Sequence, residues 1–182
     1  MAISAKVARH LEKNKVPHEI VKHKKVYTAF DLARTLDEKF ERIAKTLLVR
    51  ADKRYVVVTI PAHYRLDMGK LKRFLKAKEV KIANEPMIKK VLNLRPGAIV
   101  PFATLHKLES VLDQSLRKAK EIIVGAGSFT DSLRMKVKDL EKLEKPSVAD
   151  IGKSVEKELM KAIQKGKEVV KKAVKRATKK SR

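Results

Sequence analysis

The chain has 182 residues, of which 45 are Lys or Arg and 21 are Asp or Glu, for a formal charge of +24. Its 43% hydrophobic content is too high for a disordered chain, so the charge decorates a folded body and points toward phosphate-rich polymers or anionic membranes. The absence of cysteine excludes disulfides, thiolate metal sites and cysteine nucleophiles, and no apolar run approaches the ~20 residues that span a bilayer.

In chain order, Ser4 to Lys13 reads as an amphipathic helix with Val7, Ala8 and Leu11 on one face. The stretch from Met1 to Val7 is followed by His10 and charged residues, so it lacks the apolar region of a signal peptide, and a cytoplasmic location is expected. Pro17 breaks the chain, and His18 to His23 alternates like a strand. Thr28 is placed to cap a helix through Ala29, Leu32, Ala33 and Leu36. Two strands, Ile43 to Arg50 and Tyr55 to Ile60, flank a hairpin-like Ala51-Asp52-Lys53-Arg54. Asp67 to Leu75 is helical with Met68, Leu71 and Leu75 buried; Glu79 to Ala83 is a short strand and Glu85 to Leu92 a helix. Strand candidates follow at Ala98 to Phe102, Ser110 to Leu112, Glu121 to Val124 and Ser132 to Val137, then a helix from Val137 to Lys142. Helices interspersed irregularly with hairpins predict an α+β body with a mixed sheet.

A boundary is expected at Lys145-Pro146-Ser147, dividing a body (1–146) from a Lys-rich amphipathic helical tail (147–182) whose new start Ser147 would cap. From Ile151 onward the chain carries twelve basic and three acidic residues. Val155, Leu159, Ile163, Val170 and Val174 fall at helical steps among them, laying a narrow apolar stripe along one face. Lys171, Lys172, Lys175 and Arg176 form the densest cationic stretch and are the candidate RNA contacts. The same pattern also suits a solvated helix packed on the body.

Common enzyme signatures are absent. There is no phosphate loop, since Met68-Gly69-Lys70 lacks the first glycine of that motif, and neither GxSxG nor HExxH occurs. Gly125-Ala126-Gly127 lacks a third glycine and leads into Ser128-Phe129-Thr130-Asp131, which favours a tight strand-to-strand connection with close backbone approach over a dinucleotide loop. The five histidines show no metal-ligand spacing, and His63 beside Tyr64 reads as a loop residue; neither metal nor cofactor is expected.

One lysine differs from the rest. Lys45 lies within Ile43-Ala44-Lys45-Thr46-Leu47-Leu48-Val49, on the strand face of Ile43, Leu47 and Val49. An isolated buried ammonium is costly, so this side chain must pair, reach water along its stem, or face a phosphate, carboxylate or developing oxyanion. A second feature is Pro96-Gly97-Ala98-Ile99-Val100-Pro101, where Gly97 permits unusual backbone angles and Pro101 restrains Val100. Such a segment holds backbone polar groups rigidly for a small ligand, or is simply a turn into a strand.

Taken together, Tyr27-Thr28-Ala29, the Ile43-Ala44-Lys45-Thr46-Leu47 strand, Arg65-Leu66-Asp67, Gly97-Ala98-Ile99-Val100-Pro101 and Val124-Gly125-Ala126-Gly127-Ser128 resemble the YbaK family, the editing domain also inserted in bacterial prolyl-tRNA synthetases. The resemblance covers roughly residues 3 to 145. It implies a mixed, partly open barrel-like sheet flanked by helices, and hydrolysis of the ester joining a wrong amino acid to tRNA. It further implies that Lys45 is the lysine required for activity and that Gly97, Ala98, Ile99 and Pro101 belong to a GxxxP loop holding the aminoacyl group. Tyr27 and Thr46 would line the pocket, with Gly127 and Ser128 in the loop opposite. Two positions depart from family patterns: Ser132 stands where some branches have aspartate, and Phe129 where others have histidine. The expected function is a trans-acting aminoacyl-tRNA deacylase, a hydrolase whose partners are aminoacyl-tRNA and, in one version, a synthetase, with no membrane. The alternative is a non-catalytic tRNA- or nucleic-acid-binding module on the same fold.

Overall fold

Three of the helices start at short polar side chains that accept from orphan backbone donors. In the computed structural model, which describes residues 3–155, Thr28 accepts from the Asp31 amide, Asp67 from Lys70 and Asn84 from Met87, at 3.0, 2.9 and 3.1 Å. In chain order the elements are α1 (Ala5–Lys13), β1 (Glu19–Lys22), α2 (Ala29–Leu36), β2 (Ala44–Ala51), β3 (Arg54–Pro61), β4 (Tyr64–Leu66), α3 (Met68–Leu75), β5 (Val80–Ile82) and α4 (Glu85–Leu92). They continue with β6 (Glu109–Asp113), β7 (Glu121–Gly125), β8 (Asp131–Lys136), α5 (Val137–Glu144), β9 (Ser147–Ala149) and β10 (Gly152–Ser154).

The main sheet is mixed, in the order β5-β2-β3-β6-β9. Its β2–β3 hairpin is antiparallel, with Lys45 opposite Ile60 and Thr46 opposite Thr59, whereas β3–β6 and β6–β9 are parallel. A three-stranded antiparallel sheet, β1-β8-β7, meets the main one through a single parallel bridge between Ile43 and Ile123, and β4 pairs with β10. The sheets do not close into a barrel, so the expected α+β class with an open, helix-flanked mixed sheet holds. Leu71 and Leu75 of α3 pack with Val49, Val58 and Ile60 on one side of the main sheet. On the other side, Leu48 and Val57 meet Ile88 and Leu92 of α4. Val7 and Leu11 of α1 pack with Ile122, Leu133 and Leu140 over the smaller sheet.

Two expectations are corrected. Ala98 to Phe102 is not a strand but a buried loop. Pro96 and Pro101 lack the N–H groups a ladder needs, and Gly97 turns the chain at φ +84°. Its apolar residues reflect burial, with Ala98, Ile99, Val100 and Phe102 all inside. Second, the chain does not begin a helix at Ser147. Strand β9 pairs with β6, β10 pairs with β4, and Ile151 between them is fully buried, so the body continues at least to Ser154. Residues Lys171, Lys172, Lys175 and Arg176, and the helix expected around them, lie outside the described residues.

Candidate active site

Strand β2 has a gap along its outer edge. Strand β5 pairs only with Val49 to Ala51, leaving Ala44 to Leu47 without a ladder partner on that side. A cleft of about 70 Å³ opens there, between the edge of β2, the residues leading into α2, the loop after Pro96 and the ends of β7 and β8. The hairpin register supplies Ala44, Lys45 and Thr46; the α2 entry supplies Tyr27, Thr28 and Ala29; the loops supply Gly97, Ile99 and Ser128.

Lys45 is half-buried, and its Nζ donates to the Ala62 carbonyl oxygen at 3.2 Å. Burial, and then the positive charge of Arg65, push its pKa below the usual 10.5. An ammonium has three donors, and among the described residues only Ala62 takes a hydrogen bond from this one. Beside it, the Thr46 hydroxyl is buried and has no hydrogen-bond partner among the described residues. A lysine and a hydroxyl with unused capacity at a cleft edge suit an anionic or carbonyl-bearing ligand.

Two glycines let the opposite wall approach. A Cβ on Gly97 would lie 2.3 Å from the Tyr27 carbonyl oxygen, and one on Gly125 would lie 2.6 Å from that of Ile99. The close backbone approach read from the glycine-rich segment is therefore present at Gly125. Tyr27 is 58% exposed, with its ring 5.0 Å from that of Phe129 and Lys25 Nζ 5.3 Å from its centroid, so it stands at the mouth.

Of the residues singled out from the sequence, Lys45, Thr46, Tyr27, Gly97, Ile99 and Ser128 share this cleft. Ala98, Pro101 and Gly127 do not line it. Ala98 and Pro101 are buried members of the loop, and Gly127, at φ +79°, turns the chain beside Ser4. Sequence reasoning missed His23 as a cleft residue, and treated Ser132 only as a departure from the family pattern. Both line the cleft, with His23 Nε2 and Ser132 Oγ 3.0 Å apart. His23 Nδ1 lies 2.8 Å from the Lys24 carbonyl oxygen, which can only accept. Nδ1 is therefore the donor to that carbonyl, and in this tautomer Nε2 is positioned to accept from the Ser132 hydroxyl. Nothing in the spacing announces this pair, because 109 residues separate its members and the β1–β8 ladder brings them together. His63 lies away from this cleft, 6% exposed in the turn between β3 and β4. Among the described residues no cluster of His, Asp or Glu is arranged to hold a metal ion, and no helix is long and apolar enough to cross a membrane.

Comparison with known proteins shows the family and the fold. A family model for the aminoacyl-tRNA editing domain matches residues 23–143. The chain is 30% identical over 118 residues to a proline–tRNA ligase of Macrococcus caseolyticus, a match covering 65% of this chain and 20% of the ligase. It thus spans about a fifth of the length of that ligase. It is 25% identical over 145 residues to the prolyl-tRNA editing protein ProX of Acetoanaerobium sticklandii, covering 76% of this chain and 88% of that protein. In fold it is similar to a crystal structure described as that of a proposed trans-editing enzyme for prolyl-tRNA synthetase, with a TM-score of 0.74 and 22% identity, covering 84% of this chain and all of the other.

Proposed function

The chain belongs to the aminoacyl-tRNA editing domain family, and we propose that it is a trans-acting deacylase that hydrolyses the ester of mischarged tRNA in the cytoplasm. The observation that carries this reading is the convergence of Lys45, Thr46, Tyr27, Gly97 and Ser128 on one cleft inside the matched span. The similarity to ProX, an editing protein matched over 88% of its length, supports action in trans.

The chemistry needs no nucleophilic side chain. An aminoacyl ester is already activated; water adds to its carbonyl carbon, the bond to the ribose oxygen breaks, and free amino acid leaves a tRNA with a restored hydroxyl. What the protein supplies is orientation and stabilisation of the charge that develops on the carbonyl oxygen. Lys45 provides a fixed cation whose remaining N–H groups meet the terminal phosphate, the ribose or that oxygen. The Thr46 hydroxyl adds a further donor and acceptor at the same edge. His23 holds the Ser132 proton, leaving the Ser132 oxygen as an acceptor toward the cleft for the α-ammonium of the aminoacyl group. Gly97 and Ile99 form the wall against which that group rests.

The test is incubation with a panel of mischarged tRNAs, comparing the natural chain with Lys45→Ala. Losing one such electrostatic contact costs about 2.7–4 kcal/mol in barrier, or roughly 10²–10³ in rate. The expected outcome is a folded Lys45→Ala protein, by circular dichroism, whose deacylation falls by that factor. Ester loss at the spontaneous rate on every tRNA would favour a non-catalytic tRNA-binding module, and an undiminished variant would remove Lys45 from the mechanism.

A further inference from the structure

The turn that anchors Lys45 has another side. Ala62 takes the lysine's hydrogen bond, while its neighbours Pro61 and His63 line a separate groove of about 1370 Å³. Five lysines edge this groove from separate stretches of chain. Lys39 precedes β2, Lys118 and Lys120 lie between β6 and β7, and Lys136 and Lys138 sit where β8 passes into α5. All five are exposed, and among the described residues none is within ion-pair distance of a carboxylate. The two arginines present are engaged, Arg42 with Glu38 at 3.6 Å and Arg117 with Glu141 at 2.6 Å. Glu41 and Glu121 are the remaining carboxylates, so the groove keeps a clear positive excess.

We propose that this groove binds the phosphodiester backbone of a double-stranded RNA stem, whose single-stranded end reaches over the Pro61–His63 turn into the cleft. The proposal rests on the deacylase reading for what lies in the cleft. Lysine heads are hydrated point charges suited to phosphate oxygens, and contacts of that kind position a nucleic acid without reading its sequence. Tyr64, half-buried, is the one Phe, Tyr or Trp in the lining, so the groove lacks the stacking platforms that hold unpaired bases and suits a duplex better than a single strand. An acidic protein partner would require an apolar centre, whereas Pro61 and Val137, the principal apolar residues here, are buried. The chain also leaves the described body at this rim. Val155, the last described residue, is tied to it, its amide donating to the His63 carbonyl oxygen at 2.8 Å.

The test uses the full chain and its Lys118→Glu/Lys120→Glu/Lys138→Glu variant, with the corresponding Lys→Gln triple as a milder control for folding. Binding of uncharged tRNA is measured across a salt series. Each phosphate-contacting lysine lost lowers the slope of log affinity against log salt by about 1, so the charge-reversal variant should lose at least two units of slope and more than tenfold in affinity. In a second arm, the preference for mischarged tRNA over an aminoacylated trinucleotide, as a ratio of kcat/KM, should fall at least tenfold. An unchanged slope overturns the groove assignment whatever happens to the ester. So does a loss confined to binding of poly-glutamate, which would mark an acidic protein surface instead. A slope that falls as expected in a protein that cleaves no ester upholds the groove and overturns the deacylase reading alone.

Discussion

Lys45 is held in a position that disfavours its own charge, through burial first and the nearby Arg65 second. The sign of the resulting pH effect is definite. Below the lowered pKa the lysine is charged both folded and unfolded, and folding bears its desolvation. Between that pKa and 10.5 the unfolded chain binds more protons than the folded one, so the Lys45 contribution to stability rises with pH through this window. Lys45→Met should therefore raise the melting temperature at pH 7, each kcal/mol reading as roughly 2–4 °C at this chain length. The gain should shrink as pH approaches 10.5, while activity is lost at every pH. Thermal melts of both proteins between pH 7 and 10 check this; a Lys45→Met protein that is less stable at pH 7 would mean that the ammonium's bond to Ala62 outweighs its desolvation.

At the level of elements, Asp113 joins the last two strands to the main sheet. Its buried carboxylate accepts from the Ser115 amide at 2.9 Å, from Ile151 at 3.1 Å and from Gly152 at 2.8 Å. Gly152 is required there, since a Cβ would lie 2.6 Å from the Tyr64 ring and 3.0 Å from the Asp113 carboxylate. Asp113→Ala leaves these amides without their acceptor, at a cost of about 1–3 kcal/mol for each one that stays buried. The expected outcome is a lowered melting temperature with faster amide exchange at Ile151 and Gly152, and slower loss of protection elsewhere. By contrast, Lys70→Ala, which removes the solvent-screened pair with Asp150, should leave the melting temperature nearly unchanged.

For the whole molecule, the question is how the +24 charge is used. Because β9 and β10 belong to the body, a truncation that isolates the basic tail has to fall after Val155, not after Pro146. Removing residues 156–182 should flatten the salt dependence of tRNA binding, by about 1 for each tail cation that meets a phosphate. A slope identical to that of the full chain would show that Lys171, Lys172, Lys175 and Arg176 serve something other than RNA. Combined with the groove variant, this truncation separates charge on the body from charge on the tail.

Local patterns determined most of the elements. Helix α4 runs over the expected residues because Asn84, Pro at the second position and the apolar spacing all agree there. The β2–β3 hairpin likewise follows its alternation, and Lys45 stands out from spacing alone as a cation in an apolar strand. The Ala98 to Phe102 loop was hidden because a buried apolar stretch reads alike whether it pairs or merely fills space. Short strands such as β9 and β10 exist only because β6 and β4 offer them an edge. The same limit applies to the cleft. Composition and motifs identify Lys45, Thr46 and the Gly97 loop, but His23 meets Ser132 only through long-range strand pairing, and the lysine-edged groove assembles from distant segments. Periodicity records which face of an element is buried; which faces then meet is decided by the packing of the sheets, and this sets where the charge of the chain is concentrated.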